Sequence, residues 1–275
     1  FTMPAASFKS VVEMFHHRVR STPDADAFYF RREGNWITIN WKDVGVRARN
    51  IACGLRSLGV QNEDRVCIQA GTRVEWILAD MGILCASAAS TTIYPSSTPE
   101  EVRYIVNDSG ARFVIAESDK QVAKLQAKRA ELPNLVAVIV MDGTASADGW
   151  VLTLAELEKR GAAWDTSNRG EYDRIADAVG SEQLATLIYT SGTTGNPKGV
   201  INTQRMWCAN QVMIRTSLAF LQDAPPVTLD WAPWHHTAAG NHDLGLILFN
   251  GGSYYIDAGK PLPGAIETTV RNLKE

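Results

Sequence analysis

Cysteine is scarce and scattered. The four residues Cys53, Cys67, Cys85 and Cys208 show no CxxC spacing. That is not the pattern of a disulfide scaffold, and it reads as reduced, mostly buried thiols of a cytoplasmic protein. An excess of one charge is also missing: 27 basic against 30 acidic residues leave a net charge of −3. Nothing in that balance favours nucleic acid or an anionic membrane surface, so any phosphate binding must be local. No apolar run is long enough to span a membrane, which argues against stable membrane insertion, and no signal peptide is visible. What is there is ordinary globular composition, 45% hydrophobic and 21% charged over 275 residues, enough for one large core or two smaller ones.

Hydrophobic periodicity switches repeatedly along the chain. Phe8, Val11, Val12, Phe15 and Val19 predict a first helix, followed by Pro23. Residues 27–31 and 36–39 predict a hairpin turning at Gly34-Asn35, and Val44, Ala48, Ile51, Leu55 and Leu58 an amphipathic helix. Strands at 65–70, 90–93, 112–116 and 135–141 then alternate with helices around 74–81, 102–106 and 118–131. Residues 142–180 are polar and rich in turn formers and read as a connection. A second run follows: strands at 185–189, 227–231 and 253–257, with helices from about 203 to 221, near 243–249 and from about 264. The expected fold is α/β, two mostly parallel sheets flanked by helices, with a first subdomain over 1–175 and a second over 176–275. Because the chain starts at Phe1 and its last helix reaches Glu275 without a clear cap, a missing N-terminus and a truncated second subdomain are expected.

The densest chemical signal is YTSGTTGNPKGV at 189–200. Gly192 and Gly195 allow close backbone approach to a ligand, while Thr190, Ser191, Thr193 and Thr194 add hydroxyls. Lys198 adds a positive charge and Pro197 restricts how it is delivered. Read as a strand, then this loop, then a helix, the segment suits a triphosphate. It is not a P-loop: Gly192 and Lys198 have the right separation, but Pro197 replaces the second glycine and Gly199 the Ser/Thr that would hold magnesium. A flexible surface linker would not need this order of lysine, proline and glycine.

These residues resemble the signature loop of the AMP-forming, adenylate-forming superfamily: acyl- and aryl-CoA synthetases, luciferases and peptide-synthetase adenylation domains. The stretch STTIYPSSTPEEVRYIVNDSGARFVIAES is similar to bacterial long-chain acyl-CoA synthetases. VINTQRMWCANQ, DWAPWHHTAAGNHD and NGGSYYIDAGKP are closer to feruloyl-CoA synthases. The resemblance implies a two-step ATP-dependent reaction. A carboxylate attacks the α-phosphate and pyrophosphate leaves; the coenzyme A thiol then attacks the acyl-adenylate and AMP leaves. ATP, Mg²⁺ and coenzyme A are implied, with Thr190, Ser191, Gly192, Thr193, Thr194, Gly195 and Lys198 on the phosphates and Lys198 also catalytic.

On spacing alone, His235 and His236 read as partly buried structural residues. The resemblance assigns His236 a place beside the reacting carboxylate, with Trp234 and His235 as neighbours lining the site and Ala239, Gly240 and Asn241 in the acid pocket. A metal site from His235, His236 and His242 is not expected, since adjacent histidines point apart and six residues separate His236 from His242. His16-His17 reads as structural. The polar Asn241, His242 and Asp243 would cost free energy unpaired in an alkyl tunnel. They favour an aromatic, feruloyl-like acid over a long-chain fatty acid, unless they serve the next helix instead. The family's later segments, including the small C-terminal domain with its lysine, do not occur in residues 1–275, so this stretch alone is expected to be inactive. A non-catalytic nucleotide-binding module and an enzyme that passes its acyl group to a carrier-protein thiol remain as alternatives.

Overall fold

A computed structural model describes residues 8–190 and 196–275. Two sheets carry the fold. The smaller is built from β1 (Asp26–Arg32), β2 (Asn35–Asn40), β10 (Val227–Asp230) and β11 (Ser253–Ile256), in the order β10-β11-β1-β2. The larger holds β3 (Arg65–Gln69), β4 (Ala89–Thr92), β5 (Phe113–Ser118), β6 (Ala137–Asp142), β7 (Val151–Thr153), β8 (Leu184–Thr190) and β9 (Lys198–Thr203), in the order β7-β6-β5-β3-β4-β8-β9. Every pairing is parallel except β1 with β2 and β8 with β9. The helices are α1 (Val11–Ser21), α2 (Trp41–Ser57), α3 (Val74–Cys85), α4 (Pro99–Ser109), α5 (Asp119–Gln126), α6 (Leu154–Ser167), α7 (Glu171–Asp177), α8 (Gln204–Ser217), α9 (Leu244–Asn250) and α10 (Ile266–Asn272). Among the described residues no helix is long and apolar enough to cross a membrane.

Alternation along the strands feeds two cores. Val66 and Ile68 of β3 join one cluster and Cys67 the other, on opposite faces of the larger sheet. The first cluster also takes Phe28 and Tyr254 from the smaller sheet, so it lies between the two sheets. Helix α3 runs through it and is buried at every position but Glu75. A helix that is apolar all round belongs in such a place. The second cluster packs α4 and α5 against the opposite face of the larger sheet.

Several expectations need correction. The hairpin turns at Glu33-Gly34, not Gly34-Asn35; both take positive φ (50° and 82°), as a two-residue turn between twisted strands requires. Residues 142–180 are not a connection, since β7, α6 and α7 lie there. Helix α6 buries only Leu154, Leu157 and Gly161, too narrow a stripe to show periodicity, yet Thr153 and Glu156 form a capping box visible in the sequence. A division at 175 does not follow the sheets: β1 and β2 pair with the late strands, and β8 and β9 extend the larger sheet. Finally, the segment after the glycine-rich loop is not a helix but β9, which folds back antiparallel on β8.

Helices α2 and α6 meet backbone to backbone. A Cβ on Gly161 would lie 1.8 Å from the Asn50 carbonyl oxygen and 2.6 Å from the Gly54 nitrogen. Gly161→Ala is therefore expected to lower the unfolding free energy by about 1–3 kcal/mol. A urea midpoint unchanged from wild type would contradict this backbone contact.

Candidate functional site

The glycine-rich loop is the tip of the β8–β9 hairpin. Thr190 pairs with Lys198 and Tyr189 with Gly199 across its base. Ser191, Gly192, Thr193, Thr194 and Gly195 lie outside the described residues. Directly opposed residues share a face, and faces alternate. Tyr189 is therefore on the side packed by α4, with the second core cluster, while Thr190 and Lys198 are on the other side. Both of the latter are exposed. A Cβ on Gly199 would sit 3.0 Å from Leu187 Cδ1, so a side chain there would crowd the strand that carries the loop.

That outer side is also where residues 231–236 run. In the register Thr92 opposes Ile188, which puts Thr92 on the face of Thr190 and Lys198. The Thr92 hydroxyl donates to the His235 carbonyl at 3.1 Å. One strand over, the Thr72 hydroxyl donates to the Ala232 carbonyl at 3.1 Å and accepts from the Trp234 N–H at 3.2 Å. Two threonines at adjacent strand ends thus pin the histidine segment. Neither was singled out in the sequence, because threonine near a strand end is unremarkable until its partner is known.

Trp234 does not line the site. It is 2% exposed and packs edge-on against Phe28, Trp76 and Tyr254. Its indole N–H donates to the Tyr254 hydroxyl at 3.0 Å, which donates to Asp230 at 2.8 Å. His235 is also buried, with the Tyr94 ring 4.2 Å away edge-on. Burial pushes its imidazole down to about 4, against the opposing effect of the Ala70 backbone carbonyl, toward which a ring N–H points. His236 is exposed. Its Nδ1 accepts the Ala238 N–H at 3.3 Å, so the neutral ring carries its proton on Nε2, as an outward donor.

Beyond His236 the chain forms a π-helical turn, Ala238–Asp243, leading into α9. Ala239 and Gly240 are buried, and a Cβ on Gly240 would meet the Trp234 carbonyl oxygen at 2.5 Å. The Asn241 side chain accepts from the Trp207 indole at 2.6 Å, and its backbone oxygen from Gln211. His242 binds Asp243 at 2.6 Å, and burial beside Asp230 raises the Asp243 carboxyl. These contacts pack the turn onto α8 and β10. Of the expected site, the fold places Thr190, Lys198, His235 and His236 on one side of the sheet, and turns Trp234, Ala239, Gly240 and Asn241 inward.

An open cleft of about 570 Å³ lies beside this segment, at the carboxyl ends of strands from both sheets. Its walls include Thr72, Tyr94, Glu117, Trp231, His235 and Lys260. Tyr94 and Trp231 are each 38% exposed, which leaves aromatic surface available to a ligand. Sequence reasoning passed over both, since neither lies in a spaced motif.

The depressed His235 titration sets a pH dependence. Between pH 6.5 and about 4 the unfolded chain takes a proton on His235 that the folded chain refuses, so stability falls as pH falls through that window. A His235→Gln variant should lose less unfolding free energy than wild type between pH 7 and about 4, measured by urea titration. Parallel curves for the two proteins would contradict the burial of a neutral imidazole.

A model of the AMP-binding enzyme family matches residues 15–274. Long-chain-fatty-acid–CoA ligase ACSBG1 of Bos taurus is 29% identical over 269 residues, 97% of this chain and 37% of that protein. Long-chain-fatty-acid–CoA ligase FadD15 of Mycobacterium bovis is 35% identical over 195 residues, 71% of this chain and 31% of that protein. The chain therefore spans about a third of the length of these relatives. Among solved structures, apo MbtA of Mycobacterium smegmatis has a TM-score of 0.75 at 20% identity, covering 96% of this chain and 46% of that one. A fatty acyl-adenylate ligase from L. pneumophila, solved with acyl adenylate and pyrophosphate, has a TM-score of 0.72 at 21% identity, covering 91% of this chain and 40% of that one. The fold is shared with these structures, and by its match over nearly the whole length the chain belongs to the AMP-binding enzyme family.

Proposed function

We propose that this chain is the phosphate- and carboxylate-handling part of an AMP-forming acid–CoA ligase. The observation that carries the reading is the register of the hairpin. It puts Thr190 and Lys198 on the face of the larger sheet where Thr92 holds the histidine segment. This supports a reading in which a cation and an imidazole act on one ligand from two elements of the fold.

The chemistry asked of such a site is the approach of two anions. A carboxylate oxygen attacks the α-phosphorus of ATP, the bond to the β-phosphate oxygen breaks, and pyrophosphate leaves. The ammonium of Lys198 offsets phosphate charge, with loop hydroxyls and amides as further donors. The Nε2–H of His236 holds the carboxylate in line. Positioning and charge neutralisation are the main contributions such a site makes. Mg²⁺ would arrive with ATP and belong to the substrate, since it is commonly held by substrate phosphates and water. In the second half-reaction the coenzyme A thiol attacks the acyl carbon and AMP leaves. The four cysteines are buried free thiols, which supports a reducing compartment such as the cytoplasm.

For the acid, the support lies with a long-chain fatty acid. It comes from what the relatives are named for. Of the polar side chains that favoured a feruloyl-like ring, Asn241 bonds Trp207, and Asp243 lies with His242 and Asp230.

Two outcomes are expected in the complete protein. Lys198→Ala should slow ATP–pyrophosphate exchange at least about tenfold, the loss of a charged hydrogen bond of roughly 1.5–3 kcal/mol. Unchanged exchange would refute the phosphate assignment. In a hydroxamate-trapping assay palmitate should be activated in preference to ferulate, and the reverse order would restore the aromatic acid.

A further inference from the structure

Both arms of the glycine-rich hairpin are tied to one helix. Tyr189 is the last residue of β8 to face inward before the loop, and its hydroxyl donates to Asp108 Oδ2 at 2.6 Å. Pro197 immediately precedes Lys198, and its carbonyl accepts the Tyr104 hydroxyl at 3.1 Å. Tyr104 and Asp108 stand four residues apart on α4, one above the other on a single helix face. Pro197 has no N–H, so its carbonyl is the only backbone group through which it can be held. Both ties approach from the α4 side, opposite to the face that carries Thr190 and Lys198.

Helix α4 is a firm support for such ties. Thr98 and Glu101 close a reciprocal capping box at its start, Pro99 occupies the first turn, and Gly110 ends it in the left-handed conformation. Val102, Ile105 and Val106 bury its inner face in the second core cluster. Burial and the neighbouring Asp108 raise the Tyr189 hydroxyl far above neutral pH, so it remains a donor. The Tyr104 ring is only partly buried; its hydroxyl reaches the hairpin and lies beside Asp108, and burial and that carboxylate both raise it.

We infer that Tyr104 and Asp108 are positioning residues for the nucleotide: together they set the spacing and direction of the two hairpin arms, so that Thr190 and Lys198 meet the phosphates. The inference rests on the reading of this loop as the phosphate-binding element. It extends that reading to a helix on the far side of the sheet that touches no ligand. Hairpin arms held in place before the anion arrives lose less freedom when it binds. Releasing either arm therefore weakens nucleotide binding, with the acid and its histidine segment untouched.

The test uses Tyr104→Phe, Asp108→Ala and Asp108→Asn in the complete protein, with KM for ATP and for the acid measured by pyrophosphate exchange and stability by urea midpoint. Tyr104→Phe and Asp108→Ala should each raise the ATP KM about three- to tenfold, the range of one lost hydrogen bond. The acid KM should stay at its wild-type value, and stability, read by the urea midpoint, should fall by no more than one lost hydrogen bond, about 1–3 kcal/mol. Asp108→Asn, which keeps an acceptor oxygen for Tyr189, should restore most of the ATP KM. An unchanged ATP KM, an equal rise for ATP and acid, or a larger loss of stability than one hydrogen bond would each overturn the positioning role. Lys198→Ala in the same assay separates the two levels: if it impairs exchange while the α4 variants do not, only this inference falls, and if it has no effect, the phosphate reading falls with it.

Discussion

The buried indole of Trp234 is the joint on which the site depends. It sits between the sheets, against Phe28 of one and Trp76 on the helix that covers the other, and its N–H is satisfied through Tyr254 and Asp230. Truncating a tryptophan packed in this way to alanine costs about 3–5 kcal/mol, a large part of a domain's stability. Because Trp234 cannot move, its neighbours cannot either. His235 is carried into the wall of the cleft and His236 is left facing outward. The threonine hydrogen bonds then fasten the same few residues to the strand ends of the larger sheet.

The geometry divides the hairpin between two tasks by the simplest property of a strand, its alternation. Tyr189 turns toward α4 and serves as an anchor, while Thr190 and Lys198, opposed across the ladder, turn toward the histidine segment. Glycine at 199 is part of this arrangement, since it leaves room for Leu187 beside the inward anchor. In the proposed reading the lysine meets the anion from the start of a strand, so its ammonium acts without a helix N-terminus at that residue.

Much of the fold was legible because its signals are local. Apolar strands at 65–69, 113–118 and 137–142 and the stripe of α2 declare themselves by period alone. Helix α6 did not, since a helix that meets its neighbour through glycine at 161 needs few apolar residues. The exchange of β1, β2, β8 and β9 between the two halves of the chain was hidden for another reason. Pairing between distant strands is settled by tertiary packing, which leaves no mark on the period. In the candidate site, Lys198 and His236 were singled out by motif and resemblance. Asn241, His242 and Asp243 were ambiguous in the sequence, because a polar residue near a site looks the same whether it faces a ligand or a helix. The hydrogen bond from Trp207 turns the Asn241 side chain toward α8.

The central claim is that Lys198 and His236, delivered by different sheets, act on one nucleotide from the same side. A crystal structure of the complete protein with Mg·ATP tests it directly. The account predicts the β- and γ-phosphates within ion-pair distance of the Lys198 ammonium and the α-phosphate turned toward His236. A triphosphate bound away from the β8–β9 hairpin, or one that reaches Lys198 while His236 lies across the sheet from it, would contradict the account.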